Sequence, residues 1–292
     1  VPGSRYVFRN IAYQVTGDGA AQARAMLQRL VPPSSPDKGD AAVASRVLKE
    51  QRRLRKGLSK DSCFFTLSAG HEAVLHHLPN QVDVTYLIEA GAPARFGSIR
   101  FEGLTSLSAE YARKAFPLKE GGCFRRSELR EARDALQATA LFSTVNVLLP
   151  DKPAPGGQVD VVVKVKERAH RSITAGASYS TDIGLGVQAG WEHRNLFGHA
   201  ERFTSNLALS TLTQTLTGQF EKPFFGHPDQ ILRLNSALER QELEAYDTSG
   251  LKLGGNVERT LQDGWLIGGG AAYDFRRIRD AEKAETFGLL SF

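Results

Sequence analysis

From Arg171 to Phe292 the chain carries eight stretches, most about ten residues long, in which apolar side chains recur at every second position. A period of two is that of an extended chain, whose successive side chains point to opposite faces. The stretches are residues 171–180, 184–194, 201–211, 213–222, 230–241, 249–260, 265–276 and 284–292. In the first hairpin Ile173, Ala175, Ala177 and Tyr179 oppose Ser172, Thr174, Gly176, Ser178 and Ser180. After a Thr-Asp-Ile-Gly turn, Leu185, Val187, Ala189 and Trp191 resume the alternation against Gly184, Gly186 and Gly190. Further on, Phe203, Leu207 and Leu209 oppose Arg202, Thr204, Asn206 and Ser210; Leu232, Leu234 and Leu238 oppose Arg233, Asn235 and Glu239; Leu251, Leu253 and Val257 oppose Lys252, Asn256 and Glu258. Two folds satisfy this pattern. One is a soluble β-sandwich with its apolar face on a core. The other is a set of membrane-crossing strands, for which about ten tilted residues suffice, with apolar side chains toward lipid and polar ones toward water. Trp191, Phe203, Phe220, Phe224, Phe225, Trp265, Tyr273 and Phe275 lie near strand ends more than at centres, as in an interfacial aromatic girdle. No run approaches the roughly eighteen apolar residues of a membrane-spanning helix, so insertion would have to use strands.

The part before residue 170 contains an internal repeat: QVDVTYLIEAG at 81–91 returns 77 residues later as QVDVVVKVKER at 158–168. Around each copy the periodicity predicts β-α-α-β-β. The first unit reads strand 11–17, helix 18–30, a PPSSPDKG linker, helix 41–58, strand 63–69 and strand 81–89. The second reads strand 96–104, helix 108–116, the loop PLKEGGC, helix 127–141 with Ser127 as N-cap, strand 142–149 and strand 158–166. Val159, Val161, Val163 and Val165 alternate with Asp160, Lys164 and Lys166, as in a sheet covered on one face by helices. Each unit would keep an open face and an open edge, and Val82, Val84, Val159 and Val161 are the candidate edge residues for taking up an extended partner strand.

The formal net charge is +5 with a sequence pI near 9.2, and the basic excess lies in the first 168 residues. The densest cluster, KEQRRLRKGLSK at 49–60, has Ala44, Val47, Leu48, Gln51, Leu54 and Leu58 on one helical stripe, which leaves Arg46, Lys49, Arg52, Arg53 and Lys56 as a solvated face. No aromatic residues are interleaved to stack on bases, so a nucleic-acid partner is not expected. Cys63 and Cys123 read as two independent buried thiols in preference to the alternative, a disulfide between them. The opening VPGSRY has no basic region followed by an apolar stretch, so a signal peptide is either absent or already removed. HEAVLHH at 71–77 lacks histidines four apart on a helix and reads as a solvated loop between strands. GLGVQAG at 184–190 sits inside a strand pair, GxSxG and Gly-Lys-Ser/Thr loops are missing, and Glu242 with Glu244 reads as rim charge; no enzyme, cofactor or metal is expected.

The unit beginning FGSIRFEGL resembles a POTRA domain. GASYSTDIGLGVQAGWEHRNLFGHAERF looks like the first barrel hairpin of the outer-membrane insertase superfamily that includes BamA and TamA. The YSTDIG turn, the ARFGSIRFEG strand and PLKEGGCFRRSELREARDALQATALFSTVNV are closer to TamA-like members. The resemblance implies α+β POTRA repeats followed by antiparallel transmembrane β-barrel strands. Residues 1–92 would be a second-POTRA-like domain, 93–169 the membrane-proximal POTRA and 170–292 the N-terminal half of the barrel. It favours Ile173, Ala175, Tyr179, Leu185, Val187, Trp191, Phe203, Leu207, Leu234 and Leu253 as lipid-facing, and Ser172, Ile173, Thr174, Ala175, Gly176, Ala177, Ser178, Tyr179 and Ser180 as one side of a lateral gate. It further implies a factor that inserts unfolded outer-membrane or autotransporter clients, in the outer membrane of a Gram-negative bacterium with its POTRA domains in the periplasm. An inner-membrane-anchored TamB-like partner and outer-membrane lipid would be its other contacts. Two departures stand out. Family barrels have about sixteen strands against room for eight here, and no Arg-Gly dipeptide, part of a family loop motif, occurs. The final strand, 284–292, is therefore expected not to pair with 172–180 of its own chain, both edges being completed by further residues or by self-association with a second copy. The other readings are a two-partner-secretion pore and a soluble POTRA-based adaptor.

Overall fold

Each QVDV segment becomes the middle strand of its own three-stranded sheet. The computed structural model describes residues 6–30, 37–181, 184–242, 246–261, 264–279 and 283–292. Its first module runs β1 (Val7–Thr16), α1 (Ala20–Leu30), α2 (Ala44–Asp61), β2 (Leu67–His76) and β3 (Gln81–Ala90). The strand order is β1-β3-β2, with β3 parallel to β1 and antiparallel to β2. Val82, Val84, Tyr86 and Ile88 alternate inward from β3 and join Leu27 of α1 and Leu54 and Leu58 of α2 in one buried cluster, the burial that makes these two helices amphipathic. The second module runs β4 (Arg95–Glu102), α3 (Ala109–Ala115), α4 (Arg126–Ala138), β5 (Phe142–Leu148) and β6 (Gln158–Glu167), in the order β4-β6-β5. Val159, Val161 and Val163 of β6 are fully buried.

Local chemistry corrects several expectations. The α4 helix opens one residue earlier than Ser127, because the Arg125 carbonyl accepts from the Leu129 amide (3.2 Å) and already starts the helical ladder; Ser127 is in the first turn and is not its cap. Ser108 does cap α3, its hydroxyl accepting from the Tyr111 amide at 3.1 Å. HEAVLHH is not a loop: residues through His76 belong to β2, paired with β3 from Leu67↔Ala90 to His76↔Gln81. An edge strand wet on both faces shows no alternation, and β2 carries mostly exposed side chains. Its histidines take neighbours, His71 Nδ1 with Gln51 (2.7 Å) and His76 Nε2 with Asp83 (2.9 Å). The Arg9 guanidinium bonded to Asp83 holds that carboxyl down at about 2. Arg53 leaves the predicted solvated face, pairing with the buried Glu50 (2.5 Å) and donating to the Leu30 carbonyl (2.6 Å).

Cys63 and Cys123 are not independent thiols but a disulfide, Cα–Cα 5.0 Å across a separation of 60 residues. Ala94 brings them together: its amide donates to the Cys63 carbonyl (2.7 Å) and its carbonyl accepts from the Phe124 amide (3.0 Å). Pairing at that sequence distance depends on this three-segment junction, which no local spacing reveals.

The remaining strands form a single antiparallel sheet in sequence order: β7 (Arg171–Ser180), β8 (Gly184–His193), β9 (Arg202–Ser210), β10 (Thr213–Pro223), β11 (Gln230–Glu242), β12 (Asp247–Thr260), β13 (Leu266–Arg279) and β14 (Ala284–Ser291). Its ends are β7 and β14, with no ladder between them among the described residues. Each of the three sheets falls within one of the sequence segments 1–92, 93–169 and 170–292. The compact units divide differently: Val1–Arg100, Leu118–Asp134 and Asn146–Val163 make one, and Phe101–Pro117, Ala135–Val145 and Lys164–Phe292 the other. The central residues of the YSTDIG turn, the linker at 31–36 and Glu244 lie outside the described residues.

Candidate functional site at the open strand edges

Register decides which side chains share a face of the eight-stranded sheet. Ile173 stands opposite Trp191, Tyr179 opposite Leu185, Leu207 opposite Leu216, and Leu216 opposite Leu238. Phe220 faces both Phe203 and Leu234, and Leu253 faces Ser236 and Tyr273. All ten residues assigned to lipid from the sequence, Ile173, Ala175, Tyr179, Leu185, Val187, Trp191, Phe203, Leu207, Leu234 and Leu253, therefore fall on one face. It is open: Ile173 is 82% exposed, Tyr179 77% and Leu185 65%.

The opposite face is polar and internally paired. Glu192 of β8 meets Arg202 of β9 (3.6 Å), and Arg233 of β11 bridges Glu221 of β10 (3.0 Å) and Glu258 of β12. Asn256 donates to Glu258 at 2.7 Å, and Asp274 pairs with Arg276 at 3.1 Å along β13. Cross-strand opposite charges each add to sheet stability, and a face that pairs its ions while the other carries leucine and aromatic side chains fits a sheet with water on one side and hydrocarbon on the other. In β14, Phe287 and Leu289 stand opposite Arg276 and Asp274 on this polar face while Leu290 points to the apolar one, so that edge strand is apolar on both sides.

The predicted gate strand, Ser172 to Ser180, is β7, paired among the described residues on one side only, with β8. Its polar side is built for close approach. A Cβ added to Gly190 of β8 would stand 2.5 Å from the Thr174 hydroxyl and 2.8 Å from the Asn206 amide oxygen, so a larger residue there would push the hairpin apart.

In the α/β modules the structure moves the site. Val82 and Val84 lie on β3, Val159 and Val161 on β6, and these are central strands whose backbone groups are spent on both neighbours and whose side chains are buried. They are not edge residues. Continuous valine alternation signals burial, which belongs in the middle of a sheet. Of the four outer strands, β1 is partly covered by residues 39–42, with Gly39 N–H donating to Phe8 (2.8 Å) and Phe8 N–H to Asp40 (2.9 Å). The β4 edge is covered where Phe96 N–H donates to Gly122 (2.9 Å) and Gly121 N–H to Phe96 (2.7 Å). Among the described residues β2 receives one outer bond, from Gln51 to the Ala69 carbonyl (2.6 Å), and exposes Val74 and Leu75. The carbonyl that β5 offers outward at Phe142 accepts from Arg168 (2.9 Å). Open edge is therefore concentrated on β2 and β5.

Sequence reasoning also missed a polar joint ahead of the large sheet. Glu167, at the end of β6, accepts from the amides of Thr105 (2.7 Å), Ser106 (3.1 Å) and Leu107 (3.1 Å), from the Ser106 hydroxyl (2.6 Å) and from His170 (3.0 Å). Burial alone would raise this carboxyl, but the Ser106 hydroxyl, His170 and the backbone amides outweigh it and hold it well below the usual carboxylate range. Ser106 in turn accepts at its carbonyl from Asn195 (3.0 Å), whose own side-chain oxygen accepts from the Ala200 amide (2.9 Å), and Ser108 N–H donates to Gly198 (2.8 Å). Tyr111 of α3 lies 5.5 Å from the Phe224 ring, its hydroxyl pushed up to about 12 by burial. The only sequence signal was an acidic residue closing an otherwise lysine-faced strand.

A family model described as POTRA, surface antigen variable number repeat, matches residues 94–168. The outer membrane protein assembly factor BamA of Neorickettsia risticii is 22% identical over 267 residues, covering 84% of this chain and 35% of that protein. The structure of Haemophilus ducreyi BamA lacking POTRA domains 1–3 superposes with a TM-score of 0.76 at 20% identity, over 94% of this chain and 52% of that one. CdiB from Acinetobacter baumannii gives a TM-score of 0.54 at 13% identity, over 98% of this chain and 56% of that one. The chain spans 21% to 35% of the length of the curated relatives it matches. In class it is thus a set of POTRA-like sheet-and-helix modules followed by an eight-stranded antiparallel sheet that matches part of the BamA barrel. Fold, family model and relatives together support the BamA/Omp85 superfamily.

Proposed function

We propose that this chain is part of an outer-membrane protein assembly factor of a Gram-negative bacterium. In this reading the POTRA modules lie in the periplasm, the apolar face of β7–β14 lies against outer-membrane lipid, and the work is done by strand edges. Unfolded outer-membrane or autotransporter strands are taken up along β2 and β5, where backbone hydrogen bonding gives affinity with little demand on sequence, and are paired at β7. The observation that carries it is β7 itself: a ten-residue strand rich in small residues, paired on one side among the described residues, at the end of a sheet with one apolar and one ion-paired face. The TamA-like subtype, with a TamB-like inner-membrane-anchored partner, rests on the YSTDIG turn and the segment 117–147. A two-partner-secretion pore is the second reading, favoured by the fold likeness to CdiB.

Photo-crosslinking in proteoliposomes tests the proposal. A photoreactive residue at Ser178 or Val74 should capture several unrelated unfolded outer-membrane clients, whereas one at Leu234 should not. Capture of a single secreted client, to the exclusion of others, would favour the secretion pore. No capture at either edge by any client would refute both.

A further inference from the structure

The basic helix that the sequence presents as a solvated face borders a cleft of about 580 Å³ lined by Arg52, Arg55 and Lys56 of α2 and by Arg125, Arg126 and Arg130 at the start of α4. Positions 52, 55 and 56 share one helical face, as do 126 and 130, so both sets converge by backbone geometry. Among the described residues no carboxylate lines the cleft. Among the described residues one ion pair touches these six cations, Arg125 Nη1 to Glu128 at 2.6 Å, and the Arg125 Nε is buried with no partner. The floor is aromatic: Phe65 and Phe124 lie 5.3 Å apart, and the Arg126 guanidinium sits over both rings at 5.8 and 5.9 Å. The Cys63–Cys123 disulfide, next to Phe64 and Phe124, ties together the two segments that carry these cations into one cleft.

Like charges gathered on a fixed scaffold repel, and a bound anion relieves that repulsion. Its class follows from number and geometry. Five of the six cations are guanidinium forks, which match the several oxygens of a phosphate; a lone carboxylate has two oxygens and would leave most of the charge unanswered. We propose that this cleft is a binding site for a multiply charged phosphate group, of the phosphomonoester or diphosphate kind, carried by a lipid headgroup or free in solution.

The test is calorimetric titration of the full chain in a non-ionic detergent. Inorganic pyrophosphate should saturate one site, with affinity falling steeply as salt rises. The double variant R55Q/R126Q should lose about tenfold or more in affinity, and K49Q, exposed on the same helix, should stay within about twofold of the parent. Dihexanoyl phosphatidic acid binding tighter than pyrophosphate would assign the source to a lipid headgroup, and equal binding to free phosphate. Absence of saturation, an equal loss in K49Q, or tighter binding of hexaglutamate than of pyrophosphate would each overturn the proposal. Should R55Q/R126Q lose its helical signal, R55K/R126K replaces it, keeping charge but not the fork; undiminished affinity there would remove the case for guanidinium recognition.

Discussion

Glu167 shows how much structure one side chain can organise. Its carboxylate is 6% exposed and takes three backbone amides, a hydroxyl and an imidazole, and hydrogen bonds to a charged group contribute about 1.5–3 kcal/mol in net terms. The E167Q variant keeps the shape and removes the charge. It should lower stability by about 2 kcal/mol, read from chemical denaturation of the full chain followed by its helical signal, the four helices among the described residues lying ahead of the large sheet. The sign of the pH dependence follows from the depressed folded value. The charge contributes in full above the unfolded pKa of about 4.3 and is lost as pH falls through the lower folded value. Parent and variant should therefore converge in acid, and parallel acid limbs would show that Glu167 is not the titrating group. This residue could not be singled out from the sequence, because its partners are the amides of a loop some sixty positions earlier.

At the level of elements, the eight alternating stretches became β7–β14 with ends within three residues of those read from the sequence. A period of two that persists along a strand needs no tertiary context to be seen. Strand β2 was the failure: solvated on both faces, it carries no period, and its existence depends on pairing with β3. The disposition of the faces gives the next prediction. Arginine at Leu234 or Leu253 should cost about 2–4 kcal/mol of folding stability in a bilayer, while arginine at Asn235 or Asn256 should cost much less. Folding titrations into vesicles measure this, and equal costs on the two faces would show that the sheet is not lipid-embedded.

For the molecule as a whole the question of closure turns on the sheet order, which among the described residues runs from β14 to β7 without joining them. An uncovered edge in hydrocarbon leaves backbone groups without partners, at several kcal/mol for each. Both edges are thus expected to be completed by further strands or by a second copy. A chain with cysteines at Ala177 and Gly288 should form no disulfide within itself in a membrane. Efficient intramolecular oxidation, with β7 beside β14, would show a closed eight-stranded barrel.

What the sequence determined alone was periodic: where most strands and helices lie, that two modules repeat, and that the strands of the large sheet other than β14 have one apolar and one polar face. Those properties follow from alternation and helical spacing, which act between near neighbours. Tertiary structure decided which strand of each module is central, that Cys63 and Cys123 meet, that Glu167 collects the 105–107 amides, and that the cations of α2 and α4 share a cleft. Each of these joins residues about sixty or more positions apart in the chain. Their proximity is set by how whole sheets and helices pack, and local preference carries no record of that.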